Sequence, residues 1–255
     1  MKKFLIEEMT PQEIVDAVKE VDTVIVPMGT VEQHGPHLPV GTDVLIPMTV
    51  AKRVAEKAHV LVAPPIYYGN SLGMANMKGV FTITPDSLAA LLLDLCRSFA
   101  KQGFKKIIFL NGHGGNKQVL SFIGQQARME TGALIVRIDW WDIVAEEMPK
   151  ICEKVVQHAD EGETSMMLAC RPELVDMKKA TKDDASDKLT DTLTDGKPKN
   201  LPQVFIPFTK WSKTGLIGDA TKASKVKGEK IMKAVVDNIV SFLRQLDKLE
   251  DRLTE

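Results

Sequence analysis

Three polar segments of this chain combine imidazole and carboxylate side chains, and each follows a predicted strand or opens a predicted helix. Zinc, manganese and iron prefer these ligand types in proteins. Four of the five histidines of the chain lie in the three segments. Because ligands bind outside the carboxyl ends of the strands in open α/β sheets, we expect the segments to meet in one metal site.

The first segment, EQHGPHLPVGTD at residues 32–43, holds two carboxylates and two imidazoles in twelve residues. Pro36 and Pro39 stiffen this loop, and its glycines permit the sharp turns that let such side chains converge. A single histidine there would be explained as well by hydrogen bonds to the backbone. The interleaved carboxylates favour a metal site for the set, and we interpret His37 as structural or as support behind the ligands.

The second segment, NGHGGN at residues 111–116, joins a predicted strand to a predicted helix. His113 lies at the end of the strand, and Gly114 and Gly115 expose backbone amides at the start of the helix. Such amides stabilise anions and developing oxyanions, so both glycines are candidate substrate-binding residues. The alternative is a phosphate-binding turn, but the segment lacks the lysine of a P-loop and the spacing of a dinucleotide fingerprint.

The third segment, HADEGETS at residues 158–165, carries one histidine and three carboxylates at the start of a predicted helix. Asp160 and Glu161 could simply complement the helix dipole. Glu163 lies within the first turns of the helix and could project toward the same cleft as the other two segments.

Short β-branched runs alternate with longer helical patterns, which predicts a parallel sheet with helices on both faces. The runs are apolar on both faces, as a buried parallel sheet requires. Thr10 and Glu13 form a predicted capping box that opens the first helix. The predicted strands are residues 23–29, 59–66, 105–112 and 133–139, and the later predicted helices are 45–57, 84–103, 116–130, 163–169 and 225–249. Residues 178–199 are predicted to form an exposed segment within a single domain that covers 1–255.

The composition excludes several classes of partner. The formal net charge is −1, from 33 basic and 34 acidic residues, so nothing favours nucleic acid or a membrane surface. Cys96, Cys152 and Cys170 have no spacing typical of a disulfide framework or a zinc site. With no secretion signal and no apolar run long enough to span a membrane, we predict a cytoplasmic protein with a small-molecule substrate.

In their order and spacing the three segments resemble the creatininase (creatinine amidohydrolase) family. A weaker fourth match is TGLIGDATKASKVKGE at residues 214–229. The resemblance implies a three-layer α/β/α sandwich with a mostly parallel central sheet, and assembly into a homo-oligomer, often a hexamer. It also implies two divalent metal ions per chain, which would be zinc, manganese or iron.

Carried over by position, the resemblance implies that Glu32 and His113 bind one metal, that His34 binds the other, and that Asp43 bridges both. It also implies that His158 is the catalytic general acid/base, which carries a proton to the leaving group.

Two departures from the family pattern affect these expectations. Members that hydrolyse creatinine carry a metal-binding glutamate two residues after the NGH histidine, where this chain has Gly115. We therefore predict that Glu163 supplies the remaining ligand; otherwise the second metal site would be weaker and exchangeable.

The loop at residues 69–84 also differs from the family pattern, and the resemblance suggests that it lines the substrate pocket. Met74, Asn76, Met77 and Val80 occupy its middle. Trp141, just past the predicted strand 133–139, is a further candidate for the pocket wall.

The resemblance implies that a metal-activated water attacks the carbonyl of a small cyclic amide or formamide and breaks the C–N bond. One alternative uses the same site to open a cyclic ketone, such as a keto-inositol, by C–C hydrolysis. Another is a metal-dependent binder of small molecules that has no catalytic activity.

Overall fold

The central sheet has four parallel strands in the order β2–β1–β3–β4. They are β1 (Thr23–Met28), β2 (Leu61–Val62), β3 (Lys106–Asn111) and β4 (Leu134–Asp139). The computed structural model describes residues 3–153, 157–183 and 206–253. β1 pairs with β3 along its whole length, from Thr23 with Lys106 to Met28 with Asn111, so the two carboxyl ends lie side by side. A separate antiparallel pair joins β5 (Lys182–Asp183) to β6 (Gly218–Asp219).

Seven α-helices surround the sheet in the described part of the chain. They are α1 (Pro11–Val18), α2 (Thr42–Ala55), α3 (Pro85–Lys101), α4 (Lys117–Thr131), α5 (Met148–Ile151), α6 (Glu161–Cys170) and α7 (Lys225–Leu253). The predicted capping box opens α1: the Glu13 amide donates to Thr10 Oγ1, and the Thr10 amide donates to the Glu13 carboxylate. Such a cap satisfies amides that have no partner inside the helix.

Apolar side chains cover both faces of the sheet. Along β1, Ile25 packs into one core with residues of α2, α6 and α7, whereas Val24 and Val26 pack into the other with residues of α3 and α4. β3 alternates in the same way, with Ile108 on the first side and Ile107 on the second. Helices on both sides of a parallel sheet make the three-layer α/β/α sandwich that was predicted.

The second strand is shorter than predicted, with two residues instead of the eight of 59–66. Pro64 and Pro65 follow it and have no N–H to donate to a neighbouring strand. α2 begins at Thr42, three residues before the predicted start, and this places Asp43 in its first turn. Of the predicted exposed segment 178–199, residues 184–199 lie outside the described residues. Among the helices described, none is both long and apolar enough to cross a membrane.

Candidate metal centre and active site

Four elements bring the predicted metal ligands together at one edge of the sheet. Glu32 and His34 follow β1, and His113 follows β3. Asp43 lies in the first turn of α2, and Glu163 lies in the first turn of α6. All five are buried or nearly so; the side chain of His113 is the most exposed, at 12%.

One set of ligand atoms, which we name the first ligand group, comes from Glu32, Asp43 and His113. Its three potential ligand atoms lie within 4.8 Å of one another. His113 Nδ1 lies 3.3 Å from Glu32 Oε1 and 3.1 Å from Asp43 Oδ2.

The second ligand group consists of His34, Asp43 and Glu163, again with ligand atoms within 4.8 Å of one another. His34 Nε2 lies 2.8 Å from Asp43 Oδ1 and 3.8 Å from Glu163 Oε2. The two groups share Asp43, which turns one oxygen toward each group. Glu163 therefore lies beside His34 and Asp43, where it could act as the further ligand that was predicted.

Two observations show that these residues fit metal cations. His34 Nε2 and Asp43 Oδ2 are buried, and the angles of their close contacts within the cluster do not make a hydrogen bond. Buried polar groups rarely lack a partner unless an ion or a water supplies it. In the described part of the chain, the ion pairs of Glu32, Asp43 and Glu163 all involve histidine, so no Lys or Arg balances these buried carboxylates.

Burial and the neighbouring charges shift the pKa values of the histidines and carboxylates in the cluster. Burial by itself lowers the pKa of His34, but the Asp43 carboxylate overrides it and the pKa rises to about 10. Burial raises the pKa of Glu163 to about 8. The carboxylates thus draw protons onto the imidazoles, and a divalent cation would replace those protons, because metal ligands must be deprotonated.

Each imidazole near the centre donates one N–H to a backbone carbonyl. His34 Nδ1 lies 3.1 Å from the Glu32 carbonyl, and His113 Nε2 lies 2.9 Å from the Asn70 carbonyl. A carbonyl only accepts, so these bonds fix the tautomers and leave His34 Nε2 and His113 Nδ1 facing the carboxylates, as potential ligand atoms.

Two glycines allow α2 to approach the strand ends. A Cβ on Gly29 would lie 2.2 Å from the Asp43 carbonyl oxygen, and one on Gly112 would lie 1.9 Å from it. Any side chain at either position would push the start of α2, and the Asp43 carboxylate with it, away from the sheet.

The loop after Gly69 supports the first ligand group, and the sequence analysis missed its two supporting residues. Ser71 donates a hydrogen bond from its hydroxyl to Glu32 Oε2, and the Asn70 carbonyl orients His113. A Cβ on Gly115 would lie 2.2 Å from the Asn70 carbonyl oxygen and 2.6 Å from His113 Nε2. Gly115 is therefore what lets this loop lie against the centre. The only sequence signal was the position of both residues in the loop 69–84.

The start of α6 supports the second ligand group. The Ala159 amide donates to Glu163 Oε2 over 2.5 Å, and the Asp160 carboxylate caps α6 by accepting from the amides of Gly162 and Glu163. Ala159 has φ +52°, a left-handed conformation that an alanine rarely adopts. Such strain tends to persist at functional sites. Here the turn at Ala159 lies between His158 and the start of α6, and both His158 and Glu163 of α6 lie at the cluster.

His158, the predicted general acid/base, lies against the cluster. Its ring centroid is 4.5 Å from that of His34, and its Nδ1 lies 3.8 Å from Glu32 Oε1. Its Nε2–H donates to the Gln33 carbonyl over 3.0 Å, so Nδ1 is the nitrogen that faces the site. Burial and the neighbouring His34 lower the pKa of His158. Its ring also belongs to a third potential ligand set, with Glu32 and His34.

Two cavities meet at the centre, and both are lined by His113, Gly114, Gln157 and His158. The larger cavity has a volume of about 860 Å³ and reaches Glu32 and Gly115. The smaller has about 240 Å³ and reaches Asp43, Glu163, Lys117 and Trp141. The predicted substrate-binding residues thus all line a cavity: Gly114 lines both, Gly115 the larger and Trp141 the smaller.

Of the four residues singled out in the middle of the loop 69–84, Met74 lines the larger cavity. Asn76, Met77 and Val80 are not among the described residues that line either cavity. His37 is buried, with Nε2 at 2.8 Å from Thr164 Oγ1, consistent with the structural interpretation.

The family model named Creatininase, described as creatinine amidohydrolase, matches residues 7–243. The chain belongs to the creatininase family. A crystal structure of creatinine amidohydrolase (creatininase) superposes on this creatininase-family chain with a TM-score of 0.84 at 26% identity, covering 96% of this chain and 98% of that one. The predicted family, fold and hydrolase class are therefore confirmed.

Two relatives of this creatininase-family chain carry other names. A mycofactocin precursor peptide peptidase of Mycobacterium ulcerans (strain Agy99) is 32% identical over 233 residues, which cover 86% of this chain and 83% of the relative. A 3-dehydro-scyllo-inosose hydrolase of Thermotoga maritima (strain ATCC 43589 / DSM 3109 / JCM 10099 / NBRC 100826 / MSB8) is 28% identical, and the match covers 94% of this chain and 82% of the relative.

Proposed function

We propose that this chain hydrolyses the C–N bond of an amide, with one divalent ion held by each ligand group. The observation that carries the proposal is the sharing of Asp43 between two buried ligand groups, beside His158 and at the junction of two cavities. A pure binding module would need neither a second ligand group nor a histidine with a free ring nitrogen.

The residues of the two groups suit zinc or manganese, with iron as a further candidate. Solved creatininases include a manganese form and a Zn–Zn form, which supports the first two. When bound, two such ions would lower the pKa of a water molecule and polarise the carbonyl of the substrate.

His158 provides the proton transfer in this proposal. The Gln33 carbonyl occupies its Nε2–H, so Nδ1 is free to accept a proton from the attacking water and to give it to the leaving nitrogen. Its ring lines both cavities, so a substrate in either one lies beside it. General acid–base assistance of this kind contributes about 10² to 10⁴-fold to turnover.

The substrate class in the proposal is a cyclic amide or formamide, and the peptidase relative extends it to a peptide amide. The inosose hydrolase relative supports a second candidate, the opening of a cyclic ketone by C–C hydrolysis. Both reactions start with attack of water on a carbonyl carbon, and they differ in the bond that breaks.

A panel assay with metal-loaded protein tests the proposal. A cyclic amide should open to a single product with a new amine and a new carboxylate, a short peptide should split into two products that carry these groups, and a formamide should give formate and an amine. A keto-inositol would instead yield a new carboxylate without a new amine. His158→Gln should lower turnover by about 10² to 10⁴-fold and leave the metal content unchanged. Loss of metal from this variant would make His158 a ligand instead, as the third potential ligand set allows.

Assembly and location stay predictions. We propose a homo-oligomer, with a hexamer as the expected form, in the cytoplasm. Sedimentation analysis of the purified full-length chain tests the assembly, and a monomer would contradict it.

A further inference from the structure

The larger cavity is apolar over most of its wall away from the ligands. Six apolar side chains line it: Leu72, Met74, Val119, Phe208, Trp211 and Ile217. The polar groups lie mainly at the metal end, where Glu32, His113 and His158 reach the same space. One end of the cavity therefore suits a reacting polar group, and the rest suits an apolar one.

The volume of the larger cavity is also informative. About 860 Å³ is near the upper end of the range of about 300 to 1,000 Å³ found for pockets that take drug-sized ligands. A small polar ring bound to the metals would fill only a fraction of this space and leave the apolar wall uncovered.

The aromatic part of the wall is continuous with the catalytic histidine. The ring of Phe208 meets that of His158 edge-on, with centroids 5.3 Å apart. Trp211 lies one turn beyond Phe208, and the Trp211 amide donates to the Phe208 carbonyl over 2.8 Å. An apolar group attached to a carbonyl at the metal centre would therefore reach these two rings directly.

We propose that the larger cavity binds a bulky apolar group, of the size of a phenylalkyl chain, attached to the scissile amide, and that Phe208 and Trp211 determine this specificity. The inference rests on the proposed function, because the ligand groups anchor the carbonyl. It narrows the proposed substrate class to amides that carry a large apolar substituent.

Hydroxamates test the inference without turnover, because they bind divalent metals and carry substituents of choice. The probes are acetohydroxamate, 3-phenylpropanohydroxamate, which extends the acyl side, and N-benzylacetohydroxamate, which extends the amine side. Calorimetry on the metal-loaded protein should show that one of the two aryl probes binds about 10- to 100-fold more tightly than acetohydroxamate, the gain expected from burying such a group.

The aryl probe that binds better also identifies the side of the amide that enters the cavity. If all three probes bind equally well, the inference is overturned and the proposed function stands. If none binds, no metal centre accepts a carbonyl ligand here, and both fail.

Trp211→Ala should reduce the preference for the aryl probe about tenfold, because it removes one of the two rings from the wall. Phe122→Ala is the matched control: this aromatic side chain of α4 is 70% exposed and lines neither cavity. An aryl preference that Trp211→Ala leaves intact, or that Phe122→Ala reduces equally, would overturn the assignment.

Discussion

The two ligand groups share Asp43 but differ in what surrounds them. Glu32 and His113 of the first group line the larger cavity, and a loop supports them through the Ser71 hydroxyl and the Asn70 carbonyl. In the second group His34 is fully buried and Glu163 reaches only the smaller cavity, at the start of a helix.

This difference suggests separate roles for the two ligand groups, one in contact with substrate and one in holding its ion. A ligand group open to a large cavity is the one that substrate can approach. The second group has a fully buried His34 and two carboxylates in the first turns of α2 and α6, so it is better suited to hold its ion permanently. Loops open locally at lower free energy than packed helices, so we expect the first group to exchange its ion faster.

Asp43→Asn removes the carboxylate that both groups use. Metal content should fall from about two ions per chain toward none, and turnover should drop by more than about 1,000-fold, because each ion contributes several kcal/mol to catalysis. Metal analysis by mass spectrometry and steady-state assays on the same preparation provide the check. A variant that keeps one tightly bound ion would show that Asp43 belongs to a single group.

Glu163→Gln and Glu32→Gln separate the two groups. Each variant should hold about one ion per chain and lose at least about 100-fold in turnover. Removal of metal by a chelator should be biphasic in the unaltered protein. Glu163→Gln should lack the slow phase and Glu32→Gln the fast one, and the reverse pattern would invert the comparison.

Ser71→Ala tests whether the loop supports the first group alone. Losing a hydrogen bond to a metal ligand typically weakens metal affinity about 10- to 100-fold, so the weaker of two steps in a zinc titration should shift by that factor. Ser121→Ala, an exposed serine of α4, is the control and should shift neither step. A shift of both steps would mean that Ser71 affects the whole centre.

Gly115→Ala compares a crowded glycine with a free one. The added Cβ would meet the Asn70 carbonyl, so the free energy of unfolding should fall by about 1 to 3 kcal/mol, as overpacking usually costs. Gly114→Ala, where a Cβ would meet no atom within 4 Å, should change it by less than about 0.5 kcal/mol. Denaturant unfolding of both variants measures the contrast, and equal stabilities would contradict the role of Gly115.

The sequence indicates the candidate ligands because their spacing is local. Glu32, His34 and Asp43 lie within twelve residues, and the glycines around them predict sharp turns. His113 was found in the same way, since it ends an apolar run typical of a buried strand. Glu163 was inferred from the missing carboxylate at Gly115, and its place beside His34 agrees with that inference.

The supporting residues and the cavity walls could not be predicted in this way. Ser71 and Glu32 are separated by 39 residues, and His158 and the Gln33 carbonyl by 125. Such contacts depend on how the loops fold over the sheet edge, and a serine or an asparagine in a loop carries no pattern that indicates its partner. The sequence did not indicate that Trp211 lines a cavity either, because the polar residues next to it are typical of a surface turn.

Periodicity and residue type carry information locally, and they were enough to predict the sheet, its helices and the five candidate ligands. Only the tertiary structure decided that Asp43 turns one oxygen to each ligand group, that Gly115 makes room for the Asn70 carbonyl, and that an apolar cavity of about 860 Å³ opens beside His158. These features arise from contacts between distant segments, which packing selects and which no single stretch of the chain encodes.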